Sequence, residues 1–256
     1  MKIDIQKAKE AFKEYVKNYD PEDKQVKLKI EHIERVSQLA KNMAEELKLS
    51  EEDIKLAELI GLLHDIGRFE QIRIYHTFTD KKSINHGEYG AKVLFEEGLI
   101  RKFIETDEFD EIIRLAIINH NRGKIQEDLT ERQLLHAKLV RDADKTDIFY
   151  WLIKGDEKTV WESDNMNNET VTNEIYREFI EDRHINYKNI ETSGDILVAH
   201  FAYIYDLYFK PTLRIFKEKR YIDQLYNRFN FTNKDTAEKF KVIYEKAKQY
   251  IEEKGW

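Results

Sequence analysis

Four histidines and two aspartates stand where this sequence calls for buried side chains. His32 sits between Leu28 and Val36, and His64 follows Ala57 and Ile60 at spacings of seven and four. His86 shares a helical face with Gly90, Val93 and Leu94, and His120 continues Ile113 and Ile117. Asp144 follows Ala137 and Val140, and Asp65 comes directly after His64. One histidine on an apolar stripe is ordinarily a hydrogen-bonded core residue, and a His-Asp dipeptide is common by chance. Their joint placement on inward-facing stripes of five segments points elsewhere. A carboxylate buried alone costs several kcal/mol, and a buried imidazole gives up its proton. Shared divalent cations remove that conflict, because they bind neutral imidazole nitrogens and carboxylate oxygens.

The elements that must position these groups read as helices. The first is expected over about Ile5 to Asn18, ending before Pro21, and the second carries Leu28, His32, Val36, Leu39 and Met43 on one stripe. The third opens at Ser50, with Asp53 as partner in an imperfect capping box, runs through His64 and stops at Gly67. Residues 68–84 lose helical periodicity and read as a long connecting loop of the kind that often carries function. Within it His76, Thr77, Asp80 and Lys81 could shape a substrate pocket or lid. Asn85 caps a fourth helix to Gly98, a fifth covers about Asp107 to Asn121, and Thr130 with Gln133 caps a sixth that leads into Asp144. Beyond Tyr150 the stretch 155–170 reads as a loop. Helices follow at 171–182, 192–209, 211–229 and 233–254, with Pro211 suited to a first turn. The expectation is an all-α single domain over 1–256, with a core at about 28–150 and a helical extension at about 151–256.

The order His…His-Asp…His…His…Asp, with His64-Asp65-Ile66-Gly67 at its centre, resembles the HD-domain superfamily of metal-dependent phosphohydrolases over about residues 28–150. The resemblance implies that His32, His64, Asp65 and Asp144 hold a first metal. It further implies that His86 and His120, with Asp65 bridging, add a second in the manner of binuclear members. One or two divalent transition metals per chain are thus implied, iron or manganese foremost, with zinc, nickel, cobalt or magnesium also acceptable to such donors. Two such ions, two carboxylates and a bridging hydroxide leave the site at about +1, which attracts phosphate and activates water. Arg68, after the HDIG turn, and Lys145, after Asp144, are candidates to hold phosphate oxygens beside the metals, with Asp65 as the third catalytic candidate. The implied substrate is a nucleotide or another small phosphate ester or anhydride. The same ligand set also resembles that of HD-fold mixed-valent di-iron oxygenases, and a non-catalytic nucleotide-binding regulator is a third reading. Asn121 stands after His120 where the HD-GYP branch has a second histidine, and no Gly-Tyr-Pro occurs, so that branch is not indicated.

Rival motifs fail on spacing. His32-Ile33-Glu34 and His86-Gly87-Glu88 echo the zinc deaminases, but the chain has no Cys to complete that site. Asp142, Asp144 and Asp147 do not form an EF-hand, because Asp147 falls where Gly is required. His136 and His184 read as structural or solvent-facing, and His200 as a satisfied core residue. Lys217, Lys219 and Arg220 read as a solvated face interrupted by Glu218 and Asp223.

Only nine glycines and two prolines in 256 residues suit helices better than sandwiches or barrels. A formal charge of −7 disfavours a broad duplex-binding surface. The absence of Cys excludes disulfides and thiolate catalysis. No apolar stretch is long enough to span a bilayer, and the N-terminus lacks a signal-peptide core, so a cytoplasmic location is expected. Self-association is left open.

Overall fold

The computed structural model describes residues 2–161 and 163–255, and among these there is no β-strand. The chain is all-α. Its contacts divide it into two compact units, residues 1–144 and 145–256.

The first unit contains α1 (Ile5–Val16), α2 (Lys24–Glu46), α3 (Glu51–Leu63), α4 (Ile66–Tyr75), α5 (His86–Ala91), α6 (Asp110–His120) and the start of α7 (Glu131–Lys154). Polar caps set most of these starts. Asp4 accepts from Lys7 N, Asp23 from Gln25 N, Ser50 from Asp53 N and Asn85 from Glu88 N, each satisfying an orphan amide of a first turn. Thr130 and Gln133 form the expected reciprocal box before α7, at 2.9 and 3.3 Å. The core gathers Phe12, Ile33, Leu59, Leu63, Ile66, Phe69, Ile72, Leu94, Phe103, Phe109, Ile113 and Ile117, all essentially excluded from water.

Two glycines let the helices that carry or flank His32, His64, Asp65 and His86 approach closely. A Cβ on Gly61 would lie 2.8 Å from Ser37 Cα, so α3 packs backbone to backbone on α2. A Cβ on Gly67 would lie 2.4 Å from His86 O and 2.7 Å from Gly90 N, so α4 meets α5 in the same way.

The third helix does not run through to Gly67. It ends at Leu63, His64 and Asp65 form the joint, and α4 begins at Ile66. Residues 68–75, expected as loop, are therefore helical, and only 76–85 is irregular apart from a short 3₁₀ turn at Asp80–Lys82. The stripe Ile66, Phe69, Ile72 is buried at helical spacing, and Gly67 serves close packing instead of chain termination. His76, at φ 52°, ends α4 in the left-handed region.

The second unit holds the rest of α7, α8 (Glu157–Trp161), α9 (Asn173–Arg177), α10 (Ser193–Ala202), α11 (Lys210–Glu218), α12 (Tyr221–Tyr226) and α13 (Lys234–Lys254). Its own core includes Phe149, Trp161, Phe179, Phe201, Phe216 and Phe240. Three expectations need correction here. The 155–170 segment contains α8, because Trp161 is fully buried and Met166 with it. The helix expected over 192–209 ends at Ala202 and continues as a 3₁₀ turn, Tyr203–Asp206. The span 211–229 is two helices parted at Arg220, which adopts φ 53°. Pro211 does occupy the first turn of α11.

Candidate metal centre

The joint between α3 and α4 delivers His64 and Asp65 to one point inside the first unit. His32 reaches that point from α2, His86 from the first residue of α5, His120 from the last residue of α6 and Asp144 from α7. The four histidines and Asp65 are almost completely buried, and Asp144 is 13% exposed through its side chain.

Asp65 divides the cluster. Its Oδ2 lies 3.5 Å from His32 Nε2 and 3.6 Å from His64 Nε2. Its Oδ1 lies 3.3 Å from His86 Nε2 and 3.5 Å from His120 Nε2. Asp144 Oδ1 closes the first half, 3.2 Å from His32 Nε2 and 3.8 Å from His64 Nε2. Within each half the imidazole nitrogens nearly touch, at 3.3 Å for His32 with His64 and 3.0 Å for His86 with His120.

The outer ring nitrogens explain why the inner ones converge. His64 Nδ1 meets Gly61 O at 2.8 Å, and His120 Nδ1 meets Ile117 O at 2.6 Å. A carbonyl can only accept, so each ring donates from Nδ1 and presents a bare Nε2 lone pair inward. His86 Nδ1 donates to Asp80 Oδ2 at 2.7 Å. Two neutral rings that face each other through Nε2 lone pairs repel unless a proton or a metal cation lies between them. Two nitrogens bound at about 2.0–2.1 Å to one metal are separated by roughly 2.9–3.4 Å for octahedral to tetrahedral angles. The observed pairs fall in that range, so the donor set fits divalent metal binding. His32, His64 and Asp144 form one group of donors with metal-binding spacing, and His64, Asp65 and His120 form another.

Burial and neighbouring charges act on the rings in opposite directions. Burial, then the nearby Arg68 guanidinium, pushes His86 down to about 3, and burial likewise lowers His120, so both rings stay neutral. Burial also acts to lower His64, but Asp65 and Asp144 outweigh it and raise that ring. Burial would raise Asp65, yet Lys29 and the imidazoles hold it well below the usual carboxylate range, and the His32 and His64 rings do the same for Asp144.

Three supporting residues were not legible as such in the sequence. Asp80 holds His86 and is itself bound by Arg68 Nη1 at 3.0 Å, Gln71 Nε2 at 2.9 Å and Asn121 Nδ2 at 3.2 Å. Lys29, one turn before His32, places Nζ 2.6 Å from Asp65 Oδ2. Arg141, fully buried, donates through Nη1 to the carbonyls of Asn119, His120 and Arg122, meeting the negative end of α6 where His120 is carried. The i−3 spacing of Lys29 from His32 and the place of Asp80 in the irregular segment are the signals the sequence offers.

Of the phosphate-contact candidates, Arg68 lies beside the cluster, its Nε 3.6 Å from Asp65 Oδ1 and without a hydrogen-bond partner. Its Nη1 is engaged by Gln71, Phe78 O and Asp80. Lys145 belongs to the second unit, where its ammonium pairs with Asp206 Oδ2 at 3.0 Å and lies over the Tyr203 ring. Asp142, Asp144 and Asp147 all lie within α7, so no EF-hand loop forms. Among the other histidines, His184 is exposed and His136 is buried against Asp53. His200 is not the satisfied core residue expected, because its Nδ1 has no hydrogen-bond partner.

Residues 30–148 match the HD domain family, and the chain carries an HD domain over that span. No curated protein and no solved structure matches the chain at significance. The HD domain and its His/Asp groupings suggest a member of the metal-dependent hydrolase superfamily. No described helix is long and apolar enough to cross a membrane.

Proposed function

We propose that this protein is a metal-dependent phosphohydrolase that cleaves a nucleotide or another small phosphate ester or anhydride. The observation that carries the reading is the placement of the two Asp65 oxygens, each against its own pair of imidazole Nε2 atoms. His32, His64, Asp65 and Asp144 would hold one metal, and His86, His120 and Asp65 a second. Bound there, divalent ions would lower the pKa of a coordinated water toward neutrality and polarise a phosphoryl oxygen.

The chain's own residues supply the rest. The carbonyls of Gly61 and Ile117 and the Asp80 carboxylate fix the ring orientations, so the donor atoms need little reorganisation when a substrate arrives. Arg68 brings a fixed guanidinium to the Asp65 edge and suits a phosphate oxygen there.

The test loads the protein separately with manganese, iron(II), cobalt, nickel, zinc and magnesium without dioxygen and supplies nucleotides and a chromogenic phosphodiester. Release of phosphate or nitrophenolate under anaerobic conditions is expected. Turnover only with dioxygen and an iron pair would replace this reading with the oxygenase. Tight nucleotide binding without turnover would replace it with the regulator.

A further inference from the structure

Asp65 carries a cation on each side as well as two histidines. Lys29 Nζ lies 2.6 Å from Oδ2, and Arg68 Nε lies 3.6 Å from Oδ1. The Phe78 ring is shared by both cations, 5.2 Å from Lys29 Nζ and 5.7 Å from Arg68 Cζ. The two cations are held differently. Arg68 is tied through Nη1 to Gln71, Phe78 O and Asp80. Lys29 is held by Asp65 and the face of Phe78, at the end of a flexible four-carbon stem.

A carboxylate as buried as Asp65 needs a positive partner at all times. Without metal, Lys29 supplies it. A divalent ion on Oδ2 supplies twice the charge at the same oxygen and repels an ammonium a few ångströms away. We propose that Lys29 is a placeholder for the metal at Asp65, and that metal loading transfers its ammonium from Asp65 to the substrate's phosphate. Metal occupancy therefore prepares the anion site, with Arg68 as its fixed cation and Lys29 as its released one. The second half of this inference rests on the phosphohydrolase reading.

The experiment titrates manganese into metal-stripped wild type, K29Q and K29R by calorimetry, then inorganic phosphate into the manganese-loaded forms. K29Q, which leaves Asp65 without its substitute cation, is expected to bind manganese roughly tenfold more tightly and phosphate roughly tenfold more weakly than wild type. K29R keeps the charge and is expected to follow wild type in both titrations, which separates a lost charge from lost packing. Manganese affinity in K29Q equal to or weaker than wild type overturns the placeholder role. Phosphate affinity unchanged in K29Q, or wild-type protein that binds no phosphate when loaded, overturns the anion-site role. If loaded wild type binds phosphate through Lys29 yet hydrolyses no ester, the phosphohydrolase reading fails and the inference stands. If hydrolysis proceeds and K29Q binds phosphate as wild type does, the inference fails and that reading stands.

Discussion

Asp80 Oδ2 accepts a hydrogen bond from His86 Nδ1 across 2.7 Å, and through this contact the irregular 76–85 segment reaches the metal donors. Burial works against ionising Asp80, but His86 and Arg68 hold its pKa below the usual carboxylate range. A carboxylate in this position fixes the ring and strengthens Nε2 as a donor. Asp80→Asn is therefore expected to weaken binding of the second metal by roughly 10–100-fold and leave the first in place. Calorimetric titration of the two steps checks it. Equal weakening of both steps would show that Asp80 supports the whole fold of the site.

Gly67→Ala places a methyl group on the backbone of α5. That methyl carbon would lie 2.4 Å from His86 O, and a backbone carbonyl cannot swing aside as a side chain can. The expected cost is about 1–3 kcal/mol in unfolding free energy, as for other overpacked positions, together with loss of the second metal as His86 is displaced. Denaturant unfolding of the metal-free variant beside its metal content tests both effects. Wild-type stability would mean that α4 and α5 separate without cost.

The order of the four histidines and two aspartates and their inward helical positions are legible in the sequence, as are the caps at Ser50, Asn85 and Thr130. These are local signals. The break at His64 and Asp65 has no local signature, because Gly67 reads as a helix stop, whereas its close packing depends on His86 and Gly90, far along the chain. Ile66, Phe69 and Ile72 do show helical spacing, but over too short a run to stand out from a loop. Asp80, Lys29 and Arg141 gain their roles from partners 6, 36 and 19–22 residues away, and only the fold brings those partners together.

Away from the histidine–aspartate cluster, Asp53 joins α3 to α7 through His136 at 3.0 Å and Arg132 at 2.7 Å. Partial burial would raise its pKa, but His136, Ser50 and Arg132 lower it to about 2. A depressed acid contributes stability that is complete above its unfolded pKa and is lost as pH falls toward the folded value. The stability difference between wild type and Asp53→Asn should therefore shrink as pH falls below about 4. Urea midpoints of the metal-free proteins from pH 5 to 3 test it. A difference that stays constant to pH 3 would show that the Asp53 charge is not what stabilises the junction.

The proposed bridging of two metals by Asp65 is tested most directly by counting metals per chain. Elemental analysis of purified wild type, His86→Ala and Asp65→Ala, each reloaded with the same metal, is predicted to give two, one and none. Equal metal content in the two variants, or a single metal in wild type, would contradict it.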